Sequence, residues 1–269
     1  MDVVLAALRR PVDEYRWQVT GSSVTAKVLA LLGAFDARNP ELTLSELARR
    51  AGVSVPTAHR RAAELVEWGA LEKTSAGRYR IGLRLWEVAS LAPRAPALRE
   101  AALPFLEDLY VLTRQNVQLA VRDDTELVFV ERIAGRQAVP VLTRVGGRFH
   151  LHATGVGQVL LAFAPAEVQE RVLAGPLPRY ATGTITNPEA LRRVLAEIRQ
   201  RGHAVSARAV TDDATSVAAP VRDASGDVVA AVSIVVAADS ARPRELAPYV
   251  LTAALGISRV LGVASSSDG

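Results

Sequence analysis

Cysteine is absent from the 269 residues. That excludes disulfides, thiolate metal sites and cysteine nucleophiles together. Histidine is scarce, and His59, His150, His152 and His203 are too scattered for a convincing metal constellation. No metal or cofactor is expected. Aromatic residues make up 5%, so packing must rest on Ala, Val and Leu. Lysine is nearly missing, with only Lys27 and Lys73, so arginine carries the positive charge. Arginine suits phosphate and guanine contacts because its planar fork donates in pairs. A GC-rich genome would favour arginine codons anyway, so this preference alone decides nothing. No run of about 18 uncharged apolar residues is present to span a membrane. The stretch MDVVLAALRRPVDEYRWQV places a short apolar run before Arg9 and Arg10, the reverse of a secretory leader. A cytoplasmic protein with no membrane partner is expected.

What remains is apolar material at 49% against 22% charged residues, enough for a real core. The length suits one large domain or two of ordinary size. The formal net charge of +4 permits a nucleic-acid partner without showing one.

Periodicity and punctuation divide the chain. Residues 1–21 read as an extension. From 22 to 83 short helices alternate with tight turns: SVTAKVLALLGAFDA, then a helix capped by Thr43 or Ser45 and stopped by Gly52. A turn of about three residues leads to SVPTAHRRAAELVEWGALEK, which opens on Ser54 as N-cap with Pro56 in the first turn and closes at Gly69. Two short strands follow around Ser75-Ala76-Gly77. A linker helix over 84–98 is expected, with a break at Pro93 and Pro96 as the domain boundary. Residues 99–263 are mixed α/β. VQLAVRD and ELVFVERI form a hairpin around Asp123-Asp124, AVPVLTRVG reads as a further strand, and strands and helices continue to a last helix over ELAPYVLTAALGISRVLG. Residues 264–269 read as a disordered tail. The fold class is therefore α+β.

Helix, helix, short turn, helix and hairpin make a winged helix-turn-helix, whose final helix enters the major groove. Outside that helix's apolar stripe (Ala58, Ala62, Leu65, Val66) stand Ser54, Pro56, Thr57, His59, Arg60 and Arg61. Arg60 and Arg61 can bond guanine or phosphate, and Thr57 can bond phosphate or touch a thymine methyl. On the hairpin, Lys73, Arg78 and Arg80 would place charge over the DNA backbone. A basic amphipathic helix by itself is usually a solvated face; the flanking architecture favours DNA. Glu64, Glu67 and Glu72 temper the charge, so affinity needs two copies of the motif on an inverted repeat, in a homodimer or a dimer of dimers.

TLSELARRAGVSVPTAHRRAAELVEWGALEK with GRYRIGLRL resembles the N-terminal domain of IclR-type transcriptional regulators. LHATGVGQVLLA, RYATGTITNPEALRRVLAEIRQRGHAV and SVAAPVRDASGDVVAAVSIV resemble that family's effector domain, in order, over roughly residues 22 to 262. The resemblance implies a GAF-like domain: a mostly antiparallel sheet flanked by helices, with a small-molecule pocket. Independently, Thr154 can cap a helix in which Gly155, Val156 and Gly157 present N–H groups with little steric cover, which attracts carboxylates. A glycine turn serving only close packing is the plain alternative. The resemblance implies that Gly155 and Val156 bind effector through backbone N–H groups, with Ser216 and Ser233 pointing inward. Departures from the family pattern are Ser206 for an acidic residue, Val235 for a second serine, Gln158 for lysine, and Pro56 and Arg61 in the helix. The first three suggest a pocket for a carboxylate larger than a two-carbon acid.

The reading is a ligand-responsive, sequence-specific DNA-binding regulator, a repressor of a catabolic or metabolic operon answering to a small organic acid. Two rivals stand beside it. One is an architectural DNA binder with an inert dimerisation domain. The other is an enzyme using His150 or His152 with Ser216 or Ser233, although no nucleophile-elbow motif is present.

Overall fold

The structure, a computed structural model, describes residues 23–36, 38–91, 95–135, 138–239 and 243–267. The expected extension over 1–21 lies outside them. The chain divides into two compact units between Pro96 and Ala97.

The first unit begins with α1 (Val24–Leu32), where Ser23 Oγ accepts the Ala26 N–H at 3.1 Å. The helix ends at Gly33, short of the expected reach to 37, because Asp36 turns the chain by accepting the backbone N–H groups of Arg38 and Asn39. Next comes α2 (Leu44–Ala51), closed by a reciprocal cap. Thr43 Oγ1 accepts the Glu46 N–H and Glu46 Oε2 accepts the Thr43 N–H at 2.8 Å. Gly52, at φ 68°, releases the chain into α3 (Val55–Trp68), and Gly69 ends α3 at φ 87°. The wing strands β2 (Leu71–Lys73) and β3 (Tyr79–Ile81) are joined by a third, β1 (Glu41–Leu42), in the order β1-β3-β2. The two residues of β1 are too few to show alternation in sequence. Leu31, Leu47, Ala58, Ala62, Leu71 and Tyr79 are central to this unit's buried core.

The stretch around the expected break at Pro93 and Pro96 is helical on both sides, as α4 (Leu83–Ser90) and α5 (Ala95–Thr113), the latter reaching beyond the expected linker bound of 98 with Pro96 in its first turn. Residues 92–94 lie outside the described part.

The second unit is a six-stranded sheet in which every pairing is antiparallel. Its strands are β4 (Asn116–Asp123), β5 (Glu126–Ile133), β6 (Arg148–His150), β7 (Ala204–Ala207), β8 (Ala214–Arg222) and β9 (Val228–Ala237), in the order β6-β5-β4-β9-β8-β7. Strand alternation gives the sheet two different faces. Val117, Leu119, Val217, Val232 and Ile234 pack with α5 and with α9 (Pro243–Ser267) in one apolar core. The opposite face, with Gln118, Ser216, Ser233 and Val235, carries α6 (Gly155–Ala162). The helices α7 (Ala166–Ala174) and α8 (Pro188–Arg201) follow, the latter capped by Asn187 and stopped by Gly202 at φ 73°.

Two expectations are corrected here. AVPVLTRVG is not a strand: Pro140 has no N–H to donate, Gly146 sits at φ 75°, and Val139 O and Thr143 Oγ1 bond to β4 side chains rather than to a ladder. The short β6 takes the sheet edge instead. The tail expected over 264–269 continues α9 as far as Ser267, since no Gly or Pro stops it, and 268–269 lie outside the described residues. Among the described residues, no helix is long and apolar enough to cross a membrane.

Candidate functional site

The first candidate surface is the outer side of α3. Ala58, Ala62 and Leu65 bury one stripe. By helical geometry that leaves Pro56, His59 and Arg60 exposed and Thr57 half-buried. No partner for the His59 ring or the Arg60 guanidinium occurs among the described residues. Ser54 stands at the N-cap but bonds no backbone N–H; its hydroxyl donates to Thr57 Oγ1 at 2.9 Å.

Three of the expected DNA contacts are engaged within the unit. Arg61 Nη1 donates to both Glu64 oxygens at 2.7 and 2.8 Å, and its stem is nearly covered beside the core. Arg78 Nη2 donates to Glu41 O at 2.9 Å and to Glu46 Oε2 at 3.2 Å. Arg80 bonds Glu72 at 2.8–2.9 Å. Lys73 is exposed beside the Tyr79 ring, its Nζ 5.6 Å from the ring centroid. The unengaged positive charge of the helix is therefore concentrated at Arg60.

The second candidate site is a cleft of about 470 Å³, its open mouth included, on the α6 face of the sheet. Thr154 Oγ1 accepts the Gly157 N–H at 2.9 Å. The N–H groups of Gly155 and Val156 have no partner among the described residues. Both glycines serve close approach. A Cβ on Gly155 would lie 2.2 Å from Ser216 Oγ, and one on Gly157 would lie 2.4 Å from Leu151 O.

Of the residues singled out in the sequence, Thr154, Gly155, Val156, Ser206, Ser216 and Val235 line the cleft. Gly157 and Ser233 do not. The Gly157 N–H is spent on the cap, and Ser233, 1% exposed, is sealed beneath the surface with Oγ unpartnered. Apolar walls come from Phe129, Val141, Leu142, Val210 and Val235, and no described lining residue is charged. Gln158, where the family pattern has lysine, donates to His152 O at 3.0 Å and reaches Ser206 Oγ at 3.5 Å.

His150 and His152 do approach each other, with ring centroids 5.5 Å apart, but around Tyr180 rather than in the cleft. A single-turn 3-10 helix (Leu151–Ala153) follows β6 and brings them there. His150 Nδ1 is hydrogen-bonded to the Tyr180 hydroxyl, and His152 Nε2 to Pro178 O at 3.0 Å. Burial lowers both pKa values, that of His152 to about 4; the Pro178 bond pulls it back upward, and the neighbouring His150 lowers it further.

Both units have counterparts among known proteins. Residues 24–75 match the IclR helix-turn-helix domain, and residues 94–259 match the bacterial transcriptional regulator IclR C-terminal domain. The chain belongs to the IclR family of transcription regulators. It is 33% identical over 247 residues to the HTH-type transcriptional regulator KipR of Bacillus subtilis (strain 168), covering 90% of this chain and 98% of that protein. Among solved structures it is similar to an IclR homologue complexed with 4-hydroxybenzoate from Microbacterium hydrocarbonoxydans, at 40% identity and TM-score 0.85, covering 89% of this chain and 99% of that one. The Thermotoga maritima IclR structure matches at 30% identity and TM-score 0.74, covering 88% and 98%. As a member of this family the chain is a ligand-responsive, DNA-binding regulator of transcription.

The family pattern and the local glycine signal together located the α6 end of the cleft. They missed its opposite wall: Gln118, Phe129 and the segment Val141–Thr143. Gln118 and Thr143 meet only through the register of the sheet and the path of the β5–β6 connection, which carry no local sequence signal.

Proposed function

We propose that the protein is a repressor of a catabolic operon, acting in the cytoplasm as a homodimer on an inverted repeat and controlled by an aromatic or similarly sized carboxylic acid. Domain boundaries near 83 and 98, with the linker between them, fit this reading. Thr57, His59 and Arg60 on α3 read the operator. Arg60 is the principal base or phosphate contact, and Lys73 adds charge from the wing.

The observation that carries the effector reading is the pair of unpartnered N–H groups of Gly155 and Val156, opening into a cleft with apolar walls and no charged lining. Amides at a helix terminus provide a carboxylate with donors and the positive end of the helix dipole. Apolar walls favour a body larger than two carbons. The 4-hydroxybenzoate bound by the Microbacterium homologue is an acid of this kind. Effector control follows if the acid binds one arrangement of the dimer better than the other, since only differential affinity shifts an equilibrium.

The test is a gel shift on the promoter beside the protein's own gene, with and without 4-hydroxybenzoate. Binding that responds to the acid supports the reading; binding indifferent to every acid tried favours the architectural alternative. Arg60→Ala is expected to cost about 1–3 kcal/mol of operator affinity. Unchanged affinity would remove α3 from the reading surface.

A further inference from the structure

Besides Ser206, Thr211 and Ser216, the cleft carries polar groups at two places. One place is the α6 terminus. The other is formed by two buried side chains, Gln118 on β4 and Thr143 on the β5–β6 connection. Gln118 Nε2 and Thr143 Oγ1 are 2.6 Å apart. The other end of the Gln118 carboxamide has no partner among the described residues. Whichever way the amide is turned, one end bonds Thr143 and the other is left for the contents of the cleft, as acceptor or as donor. A buried amide left half-satisfied in a ligand cleft is a group waiting for a partner.

Sheet register sets the separation of the two polar places. Gln118 pairs with Ser233 on β9, and Ser233 with Ala218 on β8. Ser216 is the next residue on the same face of β8, and Gly155 stands directly over it. The feet of the two polar places are thus two strand spacings apart across the sheet, about 10 Å, and two residues apart along it, about 7 Å. The Gln118 side chain shortens that gap from its end, and the Gly155 and Val156 amides shorten it from theirs. A single ring between two hydrogen bonds of about 2.8 Å each fits such a gap. A two-carbon acid can satisfy only one end.

Gln118 is also tied to the cover of the cleft. Through Thr143 it holds the connection that supplies Val141 and Leu142, and Asn116, on the same face of β4, holds the same connection by donating to Val139 O at 2.7 Å. A ligand touching Gln118 therefore touches the anchor of the segment that covers it.

We propose that Gln118, oriented by Thr143, is the specificity-determining residue that reads a hydroxyl or carbonyl at the end of the effector remote from its carboxylate. The effector class is then a ring-bearing acid with a polar group across the ring. This rests on the assignment of the carboxylate to the Gly155–Val156 amides.

Calorimetry on the full-length protein with 4-hydroxybenzoate and benzoate separates the two claims. The wild type is expected to prefer 4-hydroxybenzoate by about tenfold, the worth of one net hydrogen bond in a dry site. Gln118→Leu should bring 4-hydroxybenzoate down to the benzoate level while leaving benzoate affinity within about twofold, and Gln118→Met, which keeps the chain length, should do the same. Equal wild-type affinities for the two acids would overturn the proposal while leaving the carboxylate assignment intact, as would variants that keep the preference. Variants that lose benzoate as well would show Gln118 to be a support of the cover and not a reader. If the wild type binds neither acid, the carboxylate assignment falls and this proposal with it.

Discussion

At the scale of single residues, the least comfortable group is His152. Its ring is 1% exposed, and Nδ1 is buried without a partner among the described residues. Burial holds its pKa at about 4, against a reference of 6.5. A histidine whose folded pKa is depressed binds fewer protons in the native state than in the unfolded one. Its neutral form therefore contributes stability that is present above about pH 6.5 and is lost as pH falls from there towards 4. Between about pH 7 and pH 5 the loss should amount to about 2 kcal/mol from this residue. Urea unfolding of the wild type and of His152→Gln at the two pH values checks it. The wild type should weaken on acidification by about that much more than the variant, and equal losses would show that the ring already reaches water. Little of this was legible in sequence. The 3-10 turn that brings the His150 and His152 rings together carries no local signal, and Tyr180 and Pro178, which enclose them, arrive from a distant loop.

At the scale of elements, the two helices of the DNA-binding motif are closed by different means. α2 has a reciprocal cap between Thr43 and Glu46, whereas α3 starts at Ser54 with no side-chain bond to its N–H groups. Thr43→Ala should therefore cost about 1 kcal/mol of stability, and Ser54→Ala a few tenths at most. Thermal unfolding of the two variants checks the order, and a larger loss at Ser54 would contradict the cap assignment. The free N–H groups at the start of α3 remain available to a phosphate, which is how a DNA-reading helix gains by leaving its first turn open.

Elements of this kind were legible because their signals are local: caps, Gly at positive φ, and apolar spacing. The hairpin of β4 and β5 was legible by alternation, and the strands β8 and β9 as apolar runs. The segment 138–146 was misread because its apolar residues Val141 and Leu142 serve the wall of the cleft and not a ladder. Alternation reports burial, whatever buries the residue. The wing was legible as a hairpin, within which Arg80 pairs with Glu72, but the engagement of Arg78 with Glu41 and Glu46 depends on β1 and α2, contacts remote in sequence.

At the scale of the whole molecule, the two units have separate apolar cores, and the two candidate surfaces belong to different units. The unpaired Arg60 is in one and the Gly155–Val156 amides are in the other. A regulator built this way must carry a coupling free energy between the sites, and that coupling is reciprocal. If the acid changes operator affinity by some factor, the operator must change acid affinity by the same factor. Couplings of this kind are typically about 1–3 kcal/mol, or roughly 5–150-fold. Measuring the dissociation constant of 4-hydroxybenzoate with and without saturating operator, and that of the operator with and without saturating acid, closes the cycle. Equal factors in that range are expected. A factor of one in both directions, with both ligands bound, would mean two independent binding modules on one chain. That is the architectural reading, and it would leave the cleft without a regulatory role.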